Sequence, residues 1–487
     1  MSILDLNDNS LLKTQAYING QWIDAESGKT FDVTDPATGN VIAKVADLGV
    51  IETRYAIEMA EQAMQSWKKM TAKERSVLLR KWFDLVIANQ DDLATIMTAE
   101  QGKVLSESKG EVAYGASFIE WFAEEAKRIY GDVIPNTTAD RRSIVIKQPI
   151  GVVAAVTPWN FPNAMITRKA APALAVGCAI VLKPAAETPL SALALAELAD
   201  RAGIPAGLFN VVVGLNAPEI GFELTSNPIV KKFTFTGSTP VGKLLMQQCA
   251  QTVKRTSMEL GGNAPVLVFA DADLDKAVDG AIAAKYRNAG QTCICANRII
   301  VQDSIYDMFV EKFTAKVKTF SLGNGFDSST TLGPLITAKA ATNVDSLVVD
   351  AQAKGATVTT GGKIDPMGNT FYQPTVLANL SSDMRIAKEE IFGPVAPIFT
   401  FSTEEEAIAM ANATEFGLAS YLFTKDISRV WRVSEAIDYG MVGINEVSIS
   451  SEVIPFGGVK ESGQGREGSK YGLDDYLEIK YICMGDI

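Results

Sequence analysis

The sequence predicts an α/β protein made of two consecutive α/β units, and three observations carry that expectation. The chain has 487 residues, more than one core usually holds at roughly 100 to 200 residues per domain. From residue 144 onward, short apolar runs ("IGVVAAVTP", "CAIVLKP", "LFNVVVG", "VKKFTFTG") alternate with helical segments such as "AMITRKAAPALAVG" and "SALALAELADRAG". Strands this continuously apolar, separated by helices, belong to a parallel sheet covered on both faces. A second series of the same kind follows "SMELGGNAP", so a glycine hinge at 259–262 separates the two units.

Taken in order, the first 140 residues read mainly as helices. Ala56, Met59, Ala60, Ala63, Met64 and Trp67 recur at helical spacing, and "ERSVLLRKWFDLVIAN" and "SFIEWFAEEAKRIYG" keep the same period. The first strand series follows. After the hinge come "APVLVF", a helix from Leu274 to about Gly290, "ANRIIVQ", the helix "YDMFVEKFTAKVKTF", and the strands "GPVAPIFTF" and "GLASYLFT". No low-complexity tract or fixed-period repeat interrupts them.

Composition excludes several functions. A net charge of −12 without a cluster of Lys and Arg argues against a nucleic-acid surface. The opening "MSILDLNDNSLLK" lacks the basic and apolar regions of a signal peptide, and no apolar run approaches the ~20 residues that span a bilayer. A cytoplasmic protein without a membrane partner is expected. Five cysteines are too few, and odd in number, for a disulfide framework. The chain contains no histidine, which removes Ser-His-Asp and Cys-His catalysis and His-ligated zinc; no metal is expected. Any general base is Glu, Asp, Lys or water.

Four stretches invite chemistry. "NAGQTCICANR" places Cys293 and Cys295 in a polar, glycine-containing loop between a helix and a strand, although free cysteines are more often buried packing residues. "SMELGGNAP" puts Glu259 between Met258 and Leu260, where desolvation would raise its pKa toward that of a general base; a capping or surface glutamate is the plainer reading. "TPWNFP" presents the Asn160 amide on a rigid turn suited to an oxyanion, or is a structural turn. "FTFTGSTPVG" starts a helix at Gly237-Ser238 after a buried strand, which suits a pyrophosphate or an ordinary N-cap. Two decoys fail. "GQGREG" at 463–468 lacks the preceding apolar strand of a dinucleotide fingerprint, and "GSTPVGKL" has Leu244 where a P-loop needs a hydroxyl.

In this order, "TPWNFP", "LKPAAETP", "FTGST", "MELGGN", "NAGQTC", "EEIFGPV" and "PFGGVKESGQGREGSKYG" resemble the aldehyde dehydrogenase superfamily, and "AYINGQW" extends the likeness over essentially the whole chain. Within it, "SFIEWFAEEAKRIYGD", "AMITRKA", "YRNAGQTC" and "SKYGLDDYLEIKY" look most like the bacterial succinate-semialdehyde dehydrogenases. The resemblance implies a Rossmann-like NAD(P)-binding domain (1–130 and 150–258), an α/β catalytic domain (259–455) and a small bridging β-element (131–149 and 471–487) that makes dimers or tetramers. It implies Cys293 as nucleophile, Glu259 as base, and Asn160 with the Cys293 N–H as oxyanion site. For the cofactor it implies Thr157, Pro158, Trp159, Lys183, Ala186, Gly214, Gly237, Ser238, Leu260, Glu390 and Phe392. Arg168, Arg287 and Ser450 match the positions that hold a substrate carboxylate.

The implied reaction is oxidation of succinate semialdehyde to succinate, with glutarate semialdehyde or sulfolactaldehyde as alternative substrates, and a non-catalytic structural member of the fold as a remote one. "GINEVSISSEV" carries Glu446, Val447 and Ser448 where the bacterial succinate-semialdehyde dehydrogenases it resembles are less polar, so a different pocket rim is expected. Ala186 stands where NAD-specific relatives often carry Glu, so NADP is the expected cofactor, with NAD also accepted. The Cys-x-Cys spacing makes Cys295 either a redox partner of Cys293 or a plain packed thiol.

Overall fold

The computed structural model describes residues 4–486. Among these, one sheet of eight strands runs in the order Gly463–Gln464, Arg255–Glu259, Val230–Thr236, Val152–Val156, Ile180–Lys183, Phe209–Val211, Ala16–Ile18 and Gln21–Ile23. The strands from Arg255–Glu259 to Phe209–Val211 are mutually parallel. A second sheet has the order Thr357–Thr360, Thr375–Ala378, Val395–Phe401, Ala296–Gln302, Ala264–Val268, Ala419–Phe423 and Met441–Ile444, parallel except at Thr357–Thr360. The apolar runs explain the burial: Val153, Val181, Phe233, Val266 and Ile300 are each fully covered, as parallel strands between helices must be.

The helical reading of the N-terminal region holds from Val50–Trp67 to Leu105–Glu125. It fails before that, because residues 16–46 form two antiparallel hairpins. The first turns on Asn19-Gly20, with φ of +52° and +74°, the Asn-Gly signature of a tight hairpin. The strands of this first hairpin, three residues each, are too short to display alternation; in the second, Thr30–Thr34 does alternate exposed and buried residues.

A three-stranded antiparallel sheet joins Leu477–Gly485, Arg141–Pro149 and Asp132–Ile134, with Leu477 opposite Pro149 and Gly485 opposite Arg141. Val133, Ile479 and Tyr481 on it are exposed. Residues 470–476 form a 3₁₀ helix instead, and its Leu473 and Tyr476 are buried in the core of the first unit.

The strand Gly463–Gln464 lies antiparallel beside Arg255–Glu259. Only glycine fits at 463: φ is +125° and a Cβ would lie 1.8 Å from the Met258 carbonyl oxygen. The chain therefore returns from the second unit to close the edge of the first.

Candidate active site

A cavity of about 250 Å³ lies where the carboxyl ends of the first sheet face the amino ends of the second. Residues 157–160 follow the strand Val152–Val156, residues 237–238 follow Val230–Thr236, and Leu260-Gly261 follow Arg255–Glu259. From the other side, Thr292, Cys293 and Ile294 enter just before Ala296–Gln302. Ligands of open parallel sheets bind at such carboxyl ends.

The loop carrying Cys293 has an unusual backbone. Asn288, Ala289 and Gly290 are all left-handed, with φ of +50°, +54° and +77°, a conformation disfavoured for residues with a Cβ. Hydrogen bonds impose it: Asn288 N–H donates to Glu107 Oε1 at 2.9 Å, Gln291 Nε2 to the Asn288 carbonyl at 3.2 Å, and Ile336 N–H to Gln291 Oε1 at 2.9 Å. The backbone of Cys293 packs on Gly262, where a Cβ would sit 2.3 Å from the Cys293 carbonyl oxygen, so the second glycine of "MELGG" is sterically required. The Cys293 thiol lines the cavity. Burial pushes it up to about 12, and the carboxylates of Glu390 and Glu259 add to the shift.

Asn160 also lines the cavity and is firmly held. Its Nδ2 donates to the Gln291 carbonyl at 3.0 Å and its Oδ1 accepts the Phe161 N–H at 3.1 Å. One of its two amide hydrogens is thus engaged, leaving the other for a ligand. Glu259 is 3% exposed and sits behind the cavity wall, and neither carboxylate oxygen has a hydrogen-bond partner. Burial first, and repulsion from Glu467 second, hold it well above the ordinary carboxylate range, as its sequence setting predicts.

Arg168 is buried, and its Nε lies 2.5 Å from Glu467 Oε2. Lys169 pairs with the other oxygen of Glu467. The Arg168 guanidinium lies 4.1 Å over the Phe456 ring, lines the cavity, and has its Nη2 without a hydrogen-bond partner. Arg287 is exposed, over the Phe161 ring at 4.9 Å. The Ser450 hydroxyl shares a short hydrogen bond with the Tyr114 hydroxyl, and both residues line the cavity.

The cofactor candidates divide. Pro158, Trp159, Gly237, Ser238, Leu260, Glu390 and Phe392 line the cavity; Thr157, Lys183, Ala186 and Gly214 do not. Trp159 and Phe392 meet edge to face at 5.5 Å. Glu390 Oε1 accepts the Gly262 N–H at 3.0 Å, and burial raises its carboxyl to about 7. The Gly237 N–H is engaged by the Glu259 carbonyl at 3.0 Å, so this glycine supplies room and not a donor.

Ser238 stands at the start of the helix Thr239–Ala250 with its hydroxyl making no capping bond. Lys183 lies opposite Val156, beside Thr157, and burial lowers its ammonium to about 8 against the opposing pull of Glu187 and Asp47. At Gly214 a Cβ would meet the Leu48 carbonyl oxygen at 2.4 Å, a packing reason for that glycine.

A dinucleotide fits these groups. The hydroxyls of Thr157 and Thr236 are buried without hydrogen-bond partners, and Ser238 offers another at the positive end of a helix. Cys295 is a different matter: it is buried, its sulfur faces the Arg287 carbonyl at 3.9 Å, and it does not line the cavity. Both cysteines are free thiols. Glu446 is exposed and accepts the N–H groups of Val447 and Ser448 at 2.7 Å each; this polar departure caps its own loop outside the cavity wall.

Comparison with known proteins places the chain. The model of the aldehyde dehydrogenase family matches residues 22–482. The chain belongs to the aldehyde dehydrogenase family. It is 60% identical over 482 residues to the NADP(+) succinate-semialdehyde dehydrogenase of Escherichia coli, covering 99% of this chain and 100% of that protein. It is equally 60% identical over 484 residues to glutarate-semialdehyde dehydrogenase of Pseudomonas aeruginosa, with coverages of 99% and 100%. The crystal structure of succinate-semialdehyde dehydrogenase from Burkholderia pseudomallei superposes with a TM-score of 0.98 at 59% identity, covering 99% and 100% of the two chains.

In this aldehyde dehydrogenase, three features escaped the sequence reading. Tyr114 reaches Ser450 across 336 positions, and no periodicity foretells that. Glu467 lies inside "GQGREG", a stretch that carries no phosphate motif yet supplies the partner of Arg168 and Lys169. Lys103, Glu107 and Glu111 lie beneath the loop, where Glu107 accepts the Asn288 N–H. Among the described residues, no helix is long and apolar enough to cross a membrane.

Proposed function

We propose that this aldehyde dehydrogenase oxidises succinate semialdehyde to succinate, with NADP as preferred cofactor and NAD also accepted. Cys293 is the nucleophile. Its thiol adds to the aldehyde carbon while the proton passes to a base, for which Glu259, desolvated and unpaired, is the group at hand. The free amide hydrogen of Asn160 and the N–H of Cys293 hold the oxyanion of the thiohemiacetal. When bound, the nicotinamide supplies a hydride acceptor; Ser238, Glu390 and Phe392, with Lys183 and Thr157, are the residues that would hold the dinucleotide. After Glu259 has passed that first proton to solvent, water attacks the thioester left on Cys293 and gives a proton to Glu259; collapse releases the acid, and the departing sulfur of Cys293 is protonated back to the thiol. No histidine enters.

The observation that carries the substrate class is the charge around Arg168. Arg168 and Lys169 share the single carboxylate of Glu467, and a buried guanidinium N–H at the cavity has no partner. Burying such a donor unsatisfied costs about 1–3 kcal/mol, and a substrate carboxylate relieves it. Arg287 and the Ser450 hydroxyl complete the anion site. The equal identity to a glutarate-semialdehyde dehydrogenase favours glutarate semialdehyde as a second reading.

Ala186 leaves no acid at the position that repels a 2′-phosphate, in keeping with the NADP(+) named for the Escherichia coli relative. The three-stranded sheet, with its exposed apolar side chains, is proposed as the surface that pairs copies of the chain. Measuring kcat/KM for C3 to C5 acid aldehydes and uncharged aldehydes with each cofactor tests the reading. A preference for uncharged aldehydes overturns the anion site, and an NAD preference above tenfold overturns the cofactor choice.

A further inference from the structure

An oxyanion site works only when thiol and amide are held to a fraction of an ångström, yet Cys293 and Asn160 belong to loops from different sheets. One stretch of chain touches both loops. Lys103 stands just before the helix Leu105–Glu125; Glu107 and Glu111 lie on that helix four residues apart and so share one side, and the Lys103 ammonium reaches Glu111 there.

Lys103 Nζ donates to the Asn160 carbonyl at 2.7 Å and to Glu111 Oε2 at 2.5 Å, and it lies 4.0 Å over the Phe161 ring. Glu107 Oε1 accepts the Asn288 N–H of the left-handed run. Glu111 Oε1 accepts the N–H groups of Asn163 at 2.9 Å and Ala164 at 3.2 Å, which caps the helix Ala164–Val176 that carries Arg168. A circuit closes between the loops, because Asn288 Nδ2 also donates to the Asn160 carbonyl at 3.0 Å.

The stretch is itself immobilised by close packing. Gly102 is left-handed at φ +91°, a Cβ on Gly333 would lie 2.3 Å from its carbonyl oxygen, and one on Gly325 would lie 2.5 Å from that of Lys103. The side chains of Lys103 and Glu111 are each 1% exposed. A buried ion pair is a poor choice for stability, since matched apolar residues serve as well or better. Its charge is spent on a particular carbonyl, that of the oxyanion residue.

We propose that Lys103, Glu107 and Glu111 are positioning residues for the aldehyde chemistry, fixing the Asn160 amide and the Cys293 loop in one geometry through Lys103 to the Asn160 carbonyl and Glu107 to the Asn288 N–H. The inference rests on the assignment of Cys293 and Asn160 given above.

The test compares variants of the full chain. Lys103→Met alone strands a buried carboxylate and lowers the melting temperature. The double variant Lys103→Met/Glu111→Gln removes both charges together and keeps an acceptor for Asn163. It is expected to fold, to bind NADP within threefold of the parent, and to have its Cys293 alkylated by iodoacetamide within threefold, because alkylation needs no oxyanion site. Its kcat falls about 10²-fold, the scale of a displaced oxyanion donor, with little change in KM.

Glu107→Leu, which leaves the Lys103–Glu111 pair intact, is expected to lose about tenfold in kcat, and Glu107→Gln, which still offers an acceptor to Asn288, recovers most of that. The proposal is overturned by a kcat within threefold of the parent in both the double variant and Glu107→Leu. It is equally overturned if alkylation and cofactor binding fall in proportion to kcat, the mark of general disorder. Full turnover in Cys293→Ala would instead sink the underlying assignment of the nucleophile.

Discussion

Two buried ionic clusters flank the Cys293 thiol, and they are built on opposite plans. In the cluster of Lys103, Glu111 and Asn160, charged atoms meet partners on both sides. In the cluster of Arg168, Lys169, Glu467 and Glu259, both Glu259 oxygens and Arg168 Nη2 lack a partner, while Arg168 Nε is paired with Glu467. The first is finished and reads as scaffold. The second leaves costly groups open in a low-dielectric site, where they await a substrate anion or a proton.

Substitutions separate the two clusters, and the largest effect is expected at Cys293. Cys293→Ala should lower steady-state NADPH formation at least about 10⁴-fold, as loss of a covalent nucleophile does; residual activity near the parent level would remove the open cluster from the chemistry. Glu259→Gln comes next. Turnover should drop roughly 10²–10³-fold with a pre-steady-state burst of NADPH that is slowed but still seen, because Glu259 serves both steps and thioester hydrolysis suffers most; stopped-flow absorbance reads both phases.

The sign of the pH effect follows from the same carboxyl. Its folded pKa is raised, so it acts as a base only when the pH climbs above that value, and turnover rises with pH through a limb that Glu259→Gln abolishes. A group raised in this way contributes folding stability that is fully present below its unfolded pKa and is lost as pH passes its folded one. Denaturant midpoints of Glu259→Gln should accordingly depend less on pH than those of the parent.

A smaller effect is expected at the anion site. Arg287→Leu should raise KM for succinate semialdehyde about 10- to 100-fold and leave propanal unaffected; equal losses for both would show that Arg287 serves the fold. The smallest change is at Cys295, where Cys295→Ala should keep parental kcat. If it proves as sensitive to mild peroxide as the parent, with equal rescue by reductant, then Cys295 is a packed thiol, the role suggested by its burial and by a sulfur turned toward the Arg287 carbonyl.

Much of this was legible in the chain. Continuous apolar runs such as "CAIVLKP" can only be strands covered twice, and a helix must follow each; the parallel sheets are thus written locally. The crowded loop of Cys293 and the glycines after Glu259 were legible too, because small residues mark places where backbones crowd, as Gly262 does against Cys293. The hairpin at 16–23 was hidden because three-residue strands are shorter than the period needed to see them, whereas in the hairpin at 30–46 the strand Thr30–Thr34 alternates exposed and buried residues, a signal that the helical reading passed over. Tyr114, Lys103 and Glu467 were hidden for another reason. Each is an ordinary polar residue in its own segment and acquires meaning only from a partner far along the chain, Ser450, Asn160 and Arg168 respectively.

The return of the chain at Gly463–Gln464 bears on how the protein is made. Synthesis releases the first unit hundreds of residues before Glu467 emerges, so Arg168 and Lys169 must wait without their counter-ion while the adjacent edge strand Arg255–Glu259 lacks its neighbour. Unpaired buried cations and an uncovered strand edge keep that unit from its final packing. The nascent chain therefore carries Cys293 before Arg168 and Lys169 have their shared carboxylate, and that part of the cavity wall is completed only once Glu467 has been made.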